Sequence, residues 1–156
     1  MKNGRREEAE RSAGRKAAMA VLTVASGGEI RRLWDAAGIQ TDAQALRGPE
    51  TRLVTVRGRI GGAGAPFNFG EATVTRATVR LPGGEVGHAY ALGRDKEKAR
   101  LSAIADALWQ NPARRAEIEE KIIAPLKAAQ LGADEKRRAE TAATKVDFFT
   151  MVRGED

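Results

Sequence analysis

The sequence contains no cysteine and only one histidine, His88. A disulfide framework, a thiolate nucleophile and a cysteine-ligated zinc site are therefore excluded. A Ser-His-Asp triad or a histidine metal site would depend on His88 alone. Its place on a strand face with Val86 and Tyr90 favours a hydrogen-bonded, half-buried role over that of a general base. Carboxylates are scattered, with no two forced together by spacing, so we predict no catalytic residue and no metal site in this chain.

Aromatic residues are scarce, at 4% of the 156 residues, although apolar residues make up 42%. Many of the apolar residues are alanine, so the predicted core is thin for a single domain of this length. A thin core suggests that a partner chain supplies part of the burial. The lack of aromatics near the basic residues also argues against a stacking platform for single-stranded nucleic acid.

No stretch of the sequence is long and apolar enough to span a membrane. Residues 17–25 form a short apolar run after a basic N-terminus, as in a signal peptide. However, Glu7, Glu8 and Glu10 stand in the region that would have to be positive, and the run merges into an amphipathic helix. Because the absence of cysteine also fits a reducing compartment, we expect a cytoplasmic protein.

Positive charge is in excess, with 27 Lys and Arg against 21 Asp and Glu and a net charge of +6. Such an excess favours acidic partners: phosphate-bearing ligands, nucleic acid or an acidic protein surface. A well-solvated helical surface explains the charge equally well.

Hydrophobic periodicity predicts an α+β fold: an N-terminal helical hairpin, an antiparallel β-meander, two to three helices and a closing C-terminal strand in the sheet. Ser26 and Glu29 carry the capping-box signature between the first two helices, and Gly38 is placed to end the second. Residues 1–14 are predicted as a flexible charged N-terminus or a solvated helical extension, and residues 15–156 as a single α+β domain. After a polar connector at 41–50, the predicted strands are 51–60, a short strand at 67–70, 71–81 and 85–92. The later helices are predicted at 95–110, 112–130 (with a break at Pro125) and 134–144, and the closing strand at 145–154.

The closing strand holds two of the chain's four phenylalanines and is apolar on both faces. A strand of that kind is usually buried on both faces. We predict that Val146 and Phe148 pack in the domain's own core, and that Phe149 and Met151 lie at or near a subunit interface.

Arginines on the predicted sheet provide the most useful functional signal. Arg57 and Arg59 share a face of one strand, and Arg76 and Arg80 share a face of the next. If these strands pair in a suitable register, four guanidinium groups line one side of the sheet, where their forked donors suit phosphate and phosphonate oxygens. Arg94 at a helix start adds an anion position beside free amides. The alternative is a solvated face, or ion pairs with nearby carboxylates or a partner. The predicted anion or substrate contacts are Arg57, Arg59, Arg76 and Arg94.

The glycine turn at residues 61–64 does not match a phosphate-binding loop. Read from Gly62, the third glycine of a G-x-G-x-x-G fingerprint would fall on Phe67, and no Gly-Lys-Ser/Thr follows. The turn is therefore predicted to be a mobile hairpin connection.

Three blocks of sequence occur in order along the chain. Residues 59–81 join the glycine turn to Phe69-Gly70-Glu71-Ala72-Thr73-Val74; Gly93-Arg94-Asp95 is followed by Asp106-Ala107-Leu108; and residues 145–154 close the chain. With these blocks, the sequence from about residue 17 to the C-terminus resembles the PhnG family of the bacterial carbon–phosphorus lyase system for phosphonate breakdown. The last block is the most specific of the three.

The resemblance implies a subunit of α-D-ribose 1-methylphosphonate 5-triphosphate synthase, a transferase that moves the ribose triphosphate of ATP to methylphosphonate and releases adenine. It implies PhnI, PhnH and PhnL as partners, and a place in a core complex that includes PhnJ, with neither membrane nor nucleic acid as partner. MgATP is then a substrate of the complex, and no cofactor is expected on this chain alone. Nucleosidase-type activity in the family is associated with PhnI, so a non-catalytic or accessory subunit, inactive alone, is expected.

Two further hypotheses come from the residues themselves. In the first, the chain is a structural scaffold of the complex, with its arginines in interface ion pairs. In the second, motivated only by the net charge of +6, it is a small nucleic-acid-binding module.

Overall fold

The computed structural model describes residues 2–144, with side chains from residue 4 onward. These residues form the predicted α+β fold in the predicted order of elements. The closing strand predicted at residues 145–154 lies outside the described residues, as do Val146, Phe148, Phe149 and Met151. The helices are α1 (Lys2–Val24), α2 (Gly27–Ala37), α3 (Lys96–Gln110), α4 (Arg115–Ile118) and α5 (Ala124–Ala143), with a π-helical segment at Glu119–Ile123, and the strands are β1 (Gln44–Arg59), β2 (Pro66–Arg80) and β3 (Val86–Leu92).

The sheet is an antiparallel meander in the order β1-β2-β3. On the central strand β2, Thr75 lies opposite Thr51 of β1 and opposite Ala91 of β3. β1 and β2 have 16 and 15 residues, whereas β3 has 7. The two long strands therefore continue as a two-stranded hairpin beyond the end of β3.

Local caps define the N-terminal pair of helices. The Glu29 amide donates to the Ser26 hydroxyl at 3.2 Å, and the Ser26 amide donates to Glu29 Oε2 at 2.9 Å, which is the predicted capping box. Gly38, with φ of 62°, supplies the left-handed residue that ends α2. Since α1 begins at Lys2, the charged N-terminus takes the form of a solvated helical extension, and its flexibility stays a prediction.

The core is built around α3, whose residues 101–109 are all buried. α3 packs on β2 and β3 and also contacts α1 and α2. The inward residues predicted for β2, Ala77 and Val79, are buried in this core. Gly87 of β3 approaches α3 so closely that a Cβ there would overlap the Ala103 carbonyl oxygen.

One buried carboxylate joins three elements of the fold. The Asp106 side chain on α3 is 1% exposed and accepts two hydrogen bonds from Arg15 of α1, Nε at 2.7 Å and Nη2 at 2.6 Å. It also accepts from the backbone amide of His88 on β3 at 2.8 Å. The hydrogen bond to Asp106 raises the pKa of Arg15 further. A buried charge is tolerated when it is paired and hydrogen-bonded in this way.

A second polar contact fixes the end of α1. Lys98 of α3 donates from Nζ to the carbonyl oxygen of Thr23 at 2.8 Å, where a cation also complements the helix dipole. Burial lowers the pKa of Lys98, and the charge of Asp95 opposes that shift. Asp95 is the N-cap of α3, as predicted, and accepts from the Lys98 amide at 2.8 Å.

The polar connector predicted at residues 41–50 is wrong from residue 44 onward. β1 begins at Gln44, which lies opposite Arg80, and register shifts on either side of Arg47 absorb Gly48 and Pro49. Because β1 is an edge strand, a proline there removes no hydrogen bond from the sheet when its nitrogen faces solvent. Pairing with β2 thus overrides the local turn signal.

At the helix break predicted near Pro125, the structure has a π-helical segment that ends immediately before α5, and Pro125 lies in the first turn of α5. Proline has no amide hydrogen for the preceding turn, and its ring crowds the carbonyl four residues earlier. A wider π turn relieves both constraints without ending the helix.

The close approach at Gly87 predicts a large cost for adding a methyl group. Gly87→Ala should lower the free energy of unfolding by about 3 kcal/mol, because the Cβ would overlap the backbone of α3. Gly70→Ala, in β2 with open space around it, is the control and should change stability by no more than about 1 kcal/mol. Chemical denaturation measures both, and equal effects would contradict the predicted packing.

The buried pair predicts that Arg15→Met is strongly destabilising. It leaves the Asp106 carboxylate buried without its cation and should lower the free energy of unfolding by about 3 kcal/mol at neutral pH. The matched control, Arg6→Met, removes an exposed ion pair with Glu10 on the same helix and should cost less than about 0.5 kcal/mol. A loss for Arg15→Met as small as that of the control would show that Asp106 needs no cation.

Candidate anion-contact site

The strand register separates the arginines that the sequence placed on one sheet face. Arg57 lies opposite Asn68, whereas Arg76 lies opposite Glu50. Residues 68 and 76 of β2 are therefore roughly 26 Å apart at about 3.3 Å per residue. The four guanidinium groups do not form a single cluster: Arg76 and Arg80 lie where β2 pairs with β3, whereas Arg57 and Arg59 lie beyond the end of β3.

Arg76 belongs to a cluster centred on a carboxylate. Its Nε donates to Glu50 Oε1 at 2.9 Å, while Arg52 Nη2 and Arg47 Nη1 lie 3.1 and 3.4 Å from the two Glu50 oxygens. Hydrogen bonds from Arg52 and then Arg76 lower the pKa of Glu50. Three arginines around one carboxylate leave an excess of two positive charges. Within residues 4–144, the Nη groups of Arg76 have no hydrogen-bond acceptor, so they can bind an anion.

A cavity of about 420 Å³ opens at this cluster, with Arg47 and Arg76 in its lining. Met19 and Leu22 of α1 supply apolar walls. The Ser102 hydroxyl of α3, also in the lining, is buried and has no hydrogen-bond partner among the described residues. A cavity of this size, apolar inside with a few polar groups, is typical of a small-ligand site. The other polar lining residues are Thr23, Thr78, His88 and Tyr90.

His88 is exposed, so the prediction of a half-buried histidine is wrong. On β3 the small residues Gly87, Ala89 and Ala91 face α3, because larger side chains would not fit there, and the His88 ring points to the other side of the sheet. The ring is hydrogen-bonded, with Nδ1 at 3.2 Å from the Thr78 hydroxyl. His88 therefore contributes its backbone amide to the contact with Asp106, while its ring lies on the face of the sheet away from α3.

The remaining arginines of the prediction lie elsewhere. Arg57 is exposed on the distal part of β1, and Arg59 donates to the carbonyl oxygen of Gly64 at 3.0 Å, across the glycine turn. Arg94 is exposed just before α3. The amide of Lys98 at that helix start already donates to Asp95, so the chain's own carboxylate occupies part of the anion position expected beside Arg94. Phe149 and Met151, the predicted interface residues, lie outside the described residues.

Residues 13–154 match the family model described as phosphonate metabolism protein PhnG. The chain belongs to the PhnG family. A curated relative from Rhizobium meliloti (strain 1021), the alpha-D-ribose 1-methylphosphonate 5-triphosphate synthase subunit PhnG, is 57% identical over 143 residues, which cover 91% of this chain and 90% of the relative. The family resemblance seen in the sequence is confirmed.

Two further observations apply to the part of this PhnG-family chain that the structure describes. None of its helices is long and apolar enough to cross a membrane. In the same residues, no three histidine, aspartate or glutamate side chains come together as a metal site would require.

Sequence reasoning missed Arg47 and Glu50, two of the three β1 members of the cluster, because both lie in the segment that reads as a polar connector. No local pattern identifies them. Glu50 lies 26 positions from Arg76 in sequence, and the bulged register alone brings the two together.

The ion cluster predicts a pH-dependent difference between the wild type and Glu50→Gln. Since the pKa of Glu50 is lowered from its ordinary value of 4.5, its contribution to stability is complete above pH 4.5 and is lost as the pH falls through the lowered pKa. The difference in the free energy of unfolding should therefore favour the wild type near neutrality and shrink toward zero in acid. Denaturant titrations between pH 3 and pH 7 measure it, and a difference that does not change with pH would contradict the cluster.

Proposed function

We propose that this chain is a PhnG-type subunit of α-D-ribose 1-methylphosphonate 5-triphosphate synthase. The observation that carries the proposal is the 57% identity to a subunit of that name, extending over 91% of this chain and 90% of the relative. The match therefore extends over most of both sequences. The family match over residues 13–154 supports the same assignment.

The reaction of such a synthase exchanges one bond at the ribose of ATP for another. The bond from C1′ to the adenine nitrogen breaks, an oxygen of methylphosphonate bonds to C1′, and adenine leaves with a proton. Both substrates are anionic, with MgATP as the nucleotide, and the net charge of +6 suits an association with them. The chain acts in the cytoplasm with subunits of the PhnI, PhnH and PhnL types, in a core complex with PhnJ.

The contribution of this chain to the reaction is electrostatic. Arg76 and Arg47 line the cavity, and together with Arg52 they leave two positive charges in excess of Glu50. The Arg76 Nη groups are directed to no acceptor among the described residues. Guanidinium forks bind phosphate and phosphonate oxygens in a two-pronged geometry. Arg76, with Arg47, is the proposed contact to an anionic group of substrate in the assembled synthase, and Arg57, Arg59 and Arg94 are weaker candidates for that contact.

A non-catalytic scaffold role is the second candidate. The observation in its favour is the exposure of large apolar side chains on the sheet, including Phe69 and Leu92. Monomeric proteins rarely leave such side chains close together in water. A scaffold holds its partners through such a surface and touches no substrate.

The two roles separate in a synthase reconstituted from all its subunits. Arg76→Ala should leave assembly intact and lower adenine release from ATP and methylphosphonate about 10-fold or more, because a hydrogen bond to a charged group contributes about 1.5–3 kcal/mol. Arg32→Ala, an exposed arginine on α2, is the matched control and should behave as the wild type.

The outcomes distinguish the claims. If adenine release is unchanged with Arg76→Ala, Arg76 does not contact an anionic group of substrate, and the scaffold role is favoured for this chain. Adenine release at the full rate without this chain would overturn its assignment as a required subunit.

A further inference from the structure

A long hairpin extends beyond the helical part of the domain. β3 pairs with β2 only as far as Val74, opposite Leu92, so residues 53–73 form a two-stranded ribbon, here called the hairpin arm. Its strands extend roughly 20 Å past the end of β3, at about 3.3 Å per residue. Within residues 2–144 no third strand pairs with this ribbon, so both of its edges are open to pairing in that part of the chain.

The hairpin arm carries four large apolar side chains that are exposed to solvent. Leu53, Ile60 and Phe69 are 62%, 75% and 65% exposed, and Phe67 is 44% exposed. Phe67 lies opposite Gly58, and the Phe69 ring lies 3.5 Å from the position that a Cβ on Gly58 would occupy. The two rings therefore share one face, packed over a bare stretch of backbone. Rigid aromatic side chains held in this way are typical of the residues that dominate protein interfaces.

The charge of the hairpin arm has one sign over most of its length. Arg57 and Arg59 are its cations, and its single carboxylate, Glu71, lies at the base. Among the described residues, neither arginine forms an ion pair with a carboxylate; Arg59 donates to the Gly64 carbonyl oxygen instead. Because side chains alternate along β1, the two arginines project from the face of the ribbon opposite to Phe67 and Phe69. A groove that receives the ribbon is therefore complementary when its floor is apolar and its rim is acidic. Two such arms would bring like charges together, which disfavours a second copy of this chain as the occupant.

We propose that the hairpin arm is the docking element of this subunit, and that it seats Phe67 and Phe69 in an acidic-rimmed apolar groove of a sister subunit of the synthase. The inference rests on the proposed function, because it requires that the chain assembles with sister subunits. It assigns the docking surface to residues separate from the cavity at Arg76. In this arrangement Arg57 and Arg59 meet the acidic rim and Arg76 carries the anion contact.

The test is co-purification of the full-length chain with its co-expressed sister subunits, followed by affinity measurement. Phe67→Ser combined with Phe69→Ser should weaken assembly about 30-fold or more, the loss typical of central interface aromatics. The matched control is Val24→Ser combined with Leu131→Ser, two exposed apolar residues on α1 and α5, which should assemble as the wild type. Thermal unfolding of each isolated variant checks that both pairs of substitutions leave the fold intact.

A charge-reversal pair tests the acidic rim. Arg57→Glu with Arg59→Glu should slow association about 10-fold or more at low salt. Arg5→Glu with Arg11→Glu, on the exposed part of α1, should slow it much less. Equal slowing by both pairs would mean that net charge steers association and that the arm faces no acidic rim.

Other outcomes overturn one claim or the other. If the wild type assembles and the phenylalanine variant assembles equally well, the docking proposal fails and the proposed function stands. If the wild type itself binds no sister subunit, the proposed function fails and the docking proposal fails with it. If the arm substitutions abolish only self-association, or only salt-sensitive retention on DNA, the arm binds a second copy of this chain or DNA instead of a sister subunit. Either result overturns the proposal.

Discussion

The fold depends on one buried carboxylate. Asp106 lies at the centre of α3 and holds Arg15 of α1 on one side and the backbone of β3 on the other. Because a carboxylate at 1% exposure requires partners, α1 cannot leave the sheet without stranding a charge in the core. A thin, alanine-rich core gives little specificity through shape alone, so this polar contact decides where the first helix sits. Burial of Lys98 against the end of α1 adds a second point of attachment.

The position of α1 in turn creates the cavity. Met19 and Leu22 stand beside the sheet because Arg15, one turn earlier, is tied to α3. The opposite side of the cavity comes from β1 and β2, where Arg47 and Arg76 converge on Glu50. A neutral, apolar interior with a cationic edge is the arrangement expected of a site for an anionic ligand. The position of α1 thus links the buried Arg15–Asp106 ion pair to the proposed anion site.

The sheet divides into two parts with different physical roles. Near β3 it is three-stranded and packed against α3, where glycine and alanine allow close contact. Beyond Val74 it is two-stranded and carries its large apolar residues in solvent. Trp109 is the aromatic residue buried in the core, whereas Phe67 and Phe69 of the hairpin arm are exposed. In the docking proposal these two rings are buried only on assembly.

The sequence by itself determined the features that depend on near neighbours. The capping box of Ser26 and Glu29 and the inward alternation of Ala77 and Val79 are local, so periodicity and side-chain chemistry predict them. The class of fold followed in the same way, whereas the family was recognised from its resemblance in three blocks of sequence. Only the tertiary structure decided which charges meet, since Arg15 and Asp106 are 91 positions apart and a bulged register brings Arg76 to Glu50. A strand's sequence fixes which residues share its face, but a shift in pairing moves each of them to a new neighbour. That is why the predicted row of four arginines is divided: Arg76 joins the cation cluster at the cavity, Arg80 lies opposite Gln44, and Arg57 and Arg59 lie on the hairpin arm.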